Sequence, residues 1–125
     1  MDIRSKSPAA VKKAWGITVR VSTGARVWFA LVKKGGYSSR HHHPRSVNEF
    51  FVTSGRLRIL LFERHEDILR ETGSVLLSSG QSLVLAAGVW HQFDAETDVE
   101  LIETYTGPVG PDEEDIQRAD EGGIR

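Results

Sequence analysis

Apolar and polar residues alternate along most of this chain with the two-residue period of a β-strand. In residues 56–61, for example, Leu57, Ile59 and Leu61 share one face while Arg56 and Arg58 take the other. Segments of this kind recur between Gly and Ser breaks and predict strands over residues 15–21, 27–33, 37–43, 48–54, 56–63, 74–78, 82–86, 90–95 and 99–105. Many short, evenly spaced strands predict an all-β sandwich or barrel. Residues 27–32 are apolar on both faces, as in a strand covered once by the barrel interior and again by a second subunit or the N-terminal segment. A homodimer is the expectation from that run.

Gly24, Gly35, Gly36, Gly55, Gly73, Gly80 and Gly88 punctuate the strands. The C-terminal stretch differs in kind. Pro111 followed by four acidic residues reads as a helix start, with proline in the first turn and carboxylates near the positive end of the dipole. A short helix over residues 112–118 is predicted, followed by a tail, 120–125, with little to anchor it and an expectation of mobility. No internal repeat or low-complexity tract occurs. The organisation expected is one domain over 1–125, with an N-terminal arm at 1–14 and the helix and tail at 108–125.

Composition adds bounds. The 125 residues suffice for one real core and not for two. A formal net charge of -1 gives no electrostatic preference for nucleic acid or anionic membranes, so neither is an expected partner. The basic N-terminal residues lead into no apolar stretch of the signal-peptide kind, and no run approaches membrane-spanning length, so a cytoplasmic location is expected. With no cysteine, disulfides, thiolate ligands and thiol nucleophiles are excluded, and any metal must be held by nitrogen and oxygen.

The histidines carry the candidate chemistry. His41, His42 and His43 are consecutive; in a strand, His41 and His43 project together and His42 points away. Paired neutral imidazoles are common transition-metal ligands. A third ligand must come from elsewhere, and His91, at the start of a later predicted strand, is the candidate. His42 and His65 read as surface residues.

At these residues the sequence resembles the cupin family. Its first motif, G-x5-H-x-H-x3,4-E-x6-G, is matched by Gly35, His41, His43, Asn48 in place of the usual Glu, and Gly55. Its second, G-x5-P-x-G-x2-H-x3-N, is matched by Gly80, Ala86 in place of Pro, Gly88, His91 and Ala95 in place of Asn. The resemblance implies a double-stranded β-helix, or jelly-roll barrel, whose interior holds one divalent transition-metal ion (iron, zinc, nickel or manganese). Ala86 and Ala95 remove turn-shaping residues rather than chemistry. Asn48 replaces a carboxylate ligand with an amide whose oxygen can still coordinate but adds no charge. The adjacent Glu49 would face inward only through a bulge, whereas Asn48 keeps the spacing to both His43 and Gly55.

Parity assigns the rest of the lining. Tyr37 and Ser39 share the predicted face of His41, Phe50 and Val52 that of Asn48, and Val89 and Phe93 that of His91. Phe50 and Phe93 are thereby candidates to contact a ligand. Arg45, in the loop after the His triplet, is a candidate anion-attracting residue and equally a solvated loop arginine. Tyr37 and Glu49 are the candidates for proton transfer.

Two classes of function follow. The resemblance implies metal-dependent enzymes acting on small polar molecules; a site of three neutral histidines and a neutral amide keeps the full +2 charge and favours an anionic substrate. Some cupin dioxygenases use three histidines and no carboxylate, so oxygen chemistry at iron is the leading specific expectation, with Lewis-acid isomerisation, epimerisation or lyase chemistry as the alternative. The other class is a non-catalytic module in which the metal stiffens the barrel or helps hold a sugar or acid; the lack of an evident acid–base pair favours it.

Overall fold

The computed structural model of the chain describes residues 9–22 and 24–125. Most of the expected 1–14 arm, including its basic start, lies outside them. Thirteen strands follow in order: β1 (Ala10–Lys13), β2 (Gly16–Arg20), β3 (Arg26–Val32), β4 (Gly36–Tyr37), β5 (His41–His42), β6 (Val47–Ser54), β7 (Arg56–His65), β8 (Ile68–Ser78), β9 (Ser82–Leu85), β10 (Trp90–Ala95), β11 (Val99–Thr106), β12 (Gln117–Arg118) and β13 (Gly123–Ile124). They form two antiparallel sheets packed face to face. One runs β1-β2-β3-β11-β6-β9; in the other β10 is central, pairing β7 and then β8 on one side and β5 with β12, and β4 with β13, on the other.

Alternation along the central strands decides which side chains meet between the sheets. The inward residues Val32, Ala30, Val52, Phe50, Leu101, Val99, Leu57, Ile59, Phe93 and Ala95 are all buried and form the core. The same inner face changes character toward one end. β3 goes from Val32 and Ala30 to Trp28 and Arg26; β11 from Val99 and Leu101 to Glu103 and Tyr105; β6 from Val52 and Phe50 to Asn48. The sandwich therefore has an apolar half that holds it together and a polar half where the histidines lie.

The outer face of the first sheet is also apolar. Val19, Phe29, Ile102 and Phe51 stand in one cross-strand row on β2, β3, β11 and β6, and Phe51 and Leu31 are exposed.

Three expectations are corrected. No helix forms among the described residues. Residues 112–118 instead leave a turn at Pro111–Asp112 and run irregularly into β12, because their carboxylates are taken by arginines: Asp112 by Arg20 at 2.9 Å, and Glu113 by Arg45 at 2.9 Å. A seven-residue helix also has too few internal hydrogen bonds to offset its nucleation, whereas the open edges of β5 and β4 offer backbone partners. The tail, expected to be mobile, uses them: Gln117 and Arg118 pair with His42 and His41, Gly123 and Ile124 with Tyr37 and Gly36. Asp120 accepts from Arg40 at 2.6 Å and Asp94 from Arg125 at 3.1 Å. We refer to residues 112–125 as the strap.

The third correction concerns the strand expected over 37–43. Asp94 stands opposite Tyr37 and His91 opposite His41, three steps on β10 against four on the other side. One extra residue is accommodated at Ser38–Arg40, where the Ser38 hydroxyl accepts from Phe93 N at 3.0 Å and the Gln92 amide donates to Ser38 O at 2.9 Å. The bulge reverses the alternation, so Tyr37 does not share the face of His41. Its ring lies under the Arg125 guanidinium, 4.4 Å from the centroid.

Candidate metal centre and its cleft

His41 and His43 reach the polar end of the interior on and just after β5, and His91 stands opposite His41 on β10. One nitrogen from each ring falls within 4.8 Å of the other two. The rings are packed on one another, with centroids 4.5 to 5.4 Å apart. All three are buried, His91 completely.

The backbone sets which nitrogen each ring presents. Nδ1 of His41 bonds Ser39 O, that of His43 bonds Asp115 O and that of His91 bonds Val89 O, each at 2.8 Å. A carbonyl only accepts, so each Nδ1 carries the proton and each Nε2 keeps its lone pair. Nε2 of His43 and of His91 is buried with no hydrogen-bond partner. Two glycines serve this arrangement. Gly88, at φ +85°, donates its N–H to His43 O at 2.8 Å. Gly55, at φ +92°, turns β6 into β7 where a Cβ would collide with the Asp98 carbonyl.

Asn48 is the fourth polar group, 2% exposed on the inner face of β6. Its Nδ2 donates to Thr104 O at 3.2 Å, while its Oδ1 is buried without a partner. Glu49 is half-buried on the opposite face, between Thr104 and Val84 in the cross-strand row. Orphaned buried polar atoms are rare because each costs on the order of 1–3 kcal/mol. Here two imidazole nitrogens and an amide oxygen, all lone-pair donors, are orphaned together, and that donor set fits a divalent transition-metal ion.

Electrostatics agrees. Burial lowers all three histidine pKa values: His41 well below the ordinary 6.5, with the neighbouring imidazoles adding to it, His43 below it, and His91 to about 4. At neutral pH the rings are uncharged, the state in which imidazole binds metal.

A cleft of about 750 Å³ opens onto this group. His41 and His43 line it; His91 and Asn48 lie behind them. Trp15, Trp28 and Phe93 give it an apolar wall, with Trp15 edge-on to Phe93 at 5.0 Å. Of the residues expected to meet a ligand, Phe93 lines the cleft and Phe50 sits behind, 5.8 Å from the His91 ring. Arg45 does not line it; Glu113 and Asp115 engage its charge. Tyr37 and Glu49, the expected proton-transfer residues, also lie outside its lining.

The cleft contains groups that strand assignment alone did not single out. The Tyr105 hydroxyl donates to Glu103 Oε2 at 2.6 Å, and the Tyr105 ring stands edge-on to His43 at 4.8 Å. Both residues are open to the cleft on one side, but protein surrounds them closely. Burial lifts the Glu103 carboxyl to about 7, against the opposing pull of the Tyr105 bond and the Lys13 charge, and lifts the Tyr105 phenol well above its ordinary 10. The alternation Val99, Leu101, Glu103, Tyr105 was available in the sequence as the signal for both.

A family model described as a cupin domain matches residues 28–105. No curated protein matches the chain in sequence. Solved structures with a similar fold include oxalate decarboxylase from Bacillus subtilis (14% identity, 89% of this chain and 30% of that one, TM-score 0.70). The capsular polysaccharide assembling protein CapF from Staphylococcus aureus is similar over 91% of this chain and 32% of its own, at 19% identity and TM-score 0.67. Oxalate oxidase in complex with glycolate matches 76% of this chain and 46% of its own, at 18% identity and TM-score 0.59. The chain thus spans between about a third and a half of the length of these structures.

Proposed function

The chain belongs to the cupin family, and from that premise we propose that it is a metal-dependent enzyme acting on a small anionic molecule, with His41, His43, His91 and Asn48 holding one divalent transition-metal ion. The observation that carries this reading is the set of orphaned donor atoms, Nε2 of His43 and His91 and Oδ1 of Asn48, buried in the polar half of the interior, where His43 lines the cleft and the other two lie behind it. Such an ion supplies Lewis acidity and, when it is iron or manganese, one-electron chemistry with oxygen. Iron, zinc, nickel and manganese all suit this donor set, and dioxygenase-type chemistry at iron is the leading specific form. The similarity to proteins named as an oxalate decarboxylase and an oxalate oxidase supports a small carboxylate as substrate.

The chain's own residues prepare that site. Backbone carbonyls at Ser39, Val89 and Asp115 hold the tautomers, and Trp15, Trp28 and Phe93 present an apolar wall to a bound molecule. Glu103 and Tyr105 give the cleft an acid–base pair in place of Tyr37 and Glu49. With its carboxyl near 7, Glu103 can take or give a proton at neutral pH. That pair favours proton-transfer chemistry, an isomerase, epimerase or lyase, as the second reading, and it weighs against a purely non-catalytic binding module.

Elemental analysis of the purified protein tests the centre. Wild type is expected to hold about one equivalent of transition metal, and His41→Ala and His91→Ala far less; variants that retain the full equivalent would remove the proposal. For the quaternary state, a candidate surface for the expected homodimer is the outer row of Val19, Phe29, Ile102 and Phe51. Light scattering decides it: a dimer mass that Phe51→Glu halves supports it, and a 13.9 kDa wild type refutes it. A cytoplasmic location is retained as a proposal; no helix among the described residues is long and apolar enough to cross a membrane.

A further inference from the structure

We propose that Arg26 is the anion-recognition residue of the cleft, receiving an oxyanion group of a ligand whose other end lies at the three-histidine cluster. This rests on the metal reading above for the far end of the ligand, though not for the arginine itself.

Placement comes from the sheet. Arg26 opens β3 on its inner face, opposite Tyr105, which is in turn opposite Asn48. With neighbouring strands about 4.8 Å apart, two strand spacings across β11 separate the arginine from the Asn48 amide by roughly 10 Å of backbone, a span that a small ligand bridges once the side chains reach in. The guanidinium is held rigidly. Its Nη1 donates to Ser46 Oγ at 2.9 Å, and the Ser46 hydroxyl is itself committed to Asp115 Oδ2 at 2.6 Å. Its Cζ lies 5.7 Å from the centroid of the Tyr105 ring, the ring that stands against His43.

The other arm has no task in the protein. Nη2 of Arg26 is buried without a hydrogen-bond partner, and no carboxylate among the described residues lies within ion-pair distance. A guanidinium cannot shed its charge, so the deficit stays whatever the pH. Binding Ser46 needs one donor, and a neutral one would serve. Of the acids that line the cleft, Asp112 is engaged with Arg20, Glu113 with Arg45, Asp115 with Ser46 and Arg45, and Glu103 with the Tyr105 hydroxyl; Glu114 and Glu121 also line it, and neither lies within ion-pair distance of Arg26. Lys13 and Arg118 also line the cleft without a carboxylate partner among the described residues. The cleft thus carries unpaired charges of both signs, and it is the half-satisfied guanidinium, with one buried arm unpartnered, that is suited to a carboxylate or phosphate oxygen.

The test titrates malonate and, separately, inorganic phosphate into the full chain, metal-free and loaded with Co(II), for wild type, Arg26→Met and Arg26→Lys. Calorimetry reads anion affinity; the visible absorption of Co(II) reads metal uptake independently. Loss of a charge-assisted hydrogen bond predicts about tenfold to a hundredfold weaker anion binding in Arg26→Met. An intermediate loss is expected in Arg26→Lys, which keeps the charge but cannot serve Ser46 and a ligand at once, and which carries the test should Arg26→Met fail to fold. The anion with the larger dependence on Arg26 identifies the group as carboxylate or phosphoryl. Equal affinity in wild type and variants, or no binding of either anion by wild type, overturns the assignment whether or not Co(II) is taken up. Arg26-dependent binding to a wild type that takes up no Co(II) upholds the arginine and removes the metal reading.

Discussion

Asn48→Asp replaces one amide nitrogen with oxygen and leaves the shape of the side chain unchanged, yet it alters the electrostatics of the site in a calculable way. In wild type Nδ2 donates to Thr104 O and Oδ1 has no partner. Without metal, the ionised variant side chain would set a carboxylate against that carbonyl in a position 2% exposed. Burying an unpaired carboxylate costs several kcal/mol, so the group takes up a proton instead and its O–H replaces the lost amide donor. With a divalent ion present the proton leaves. A unit charge and a doubly charged ion about 4 Å apart attract by about 8 kcal/mol at an effective dielectric constant of 20. Desolvation and proton release offset most of this, leaving on the order of 1–3 kcal/mol, or about a tenfold to hundredfold gain in affinity at mildly alkaline pH. The wild-type imidazoles are already neutral at pH 7, so its metal uptake releases few protons. The variant adds close to one proton per ion, and its affinity gains up to about tenfold more per pH unit below the new carboxyl pKa. Calorimetric Zn(II) titrations in buffers of different ionisation heat, from pH 6 to 8, count that proton. An unchanged proton count and affinity would mean that Asn48 Oδ1 does not face an ion.

The metal-free protein is expected to lose stability in mild acid: His91 titrates near 4 when folded and near 6.5 when unfolded, so its contribution is whole above the unfolded value and disappears as pH falls toward 4. That difference is worth about 3 kcal/mol; thermal melts at pH 7, 6 and 5 should show the decline, a His91→Gln variant should flatten it, and identical slopes in both proteins would contradict it. Gly122→Ala places a methyl group against the backbone of Tyr37 and Ser38 and should cost about 1–3 kcal/mol by lifting the strap from β4, with an unchanged melting temperature as the refuting result. Truncation before Asp112 removes the carbonyl partner of His43 Nδ1 and should weaken metal binding by about tenfold or more; full affinity in the shortened chain would show that His43 needs no such partner.

Strand periodicity made most of the fold legible, because inward positions such as Leu57, Ile59 and Val52 are apolar wherever a face is buried. The spacing of His41, His43 and His91 was legible for the same reason, since parity and barrel closure follow from backbone geometry. What escaped was set by long-range fit. The bulge at Ser38–Arg40 depends on Gln92 and Phe93, more than fifty residues away, and it is what removes Tyr37 from the site. The strap was unreadable because its acidic run satisfies a helix start locally and arginine pairing globally, and Arg20, Arg40 and Arg45 decide between them. Arg26 lies one residue before the expected strand, and its role emerges only when β3, β11 and β6 are set side by side.

The bond from His43 Nδ1 to the Asp115 carbonyl spans 72 positions of sequence, and that separation has a consequence in time. The β7–β8 hairpin needs only a two-residue turn at Glu66–Asp67 to close, whereas the strap must close a long loop before it can dock. Until then His43 is free to rotate and to carry its proton on either nitrogen. An ion that arrives before docking meets an undecided ligand, and one that arrives afterwards meets a chosen one. For the proposed metal centre, the order of chain closure and metal arrival would thus become part of how it is made.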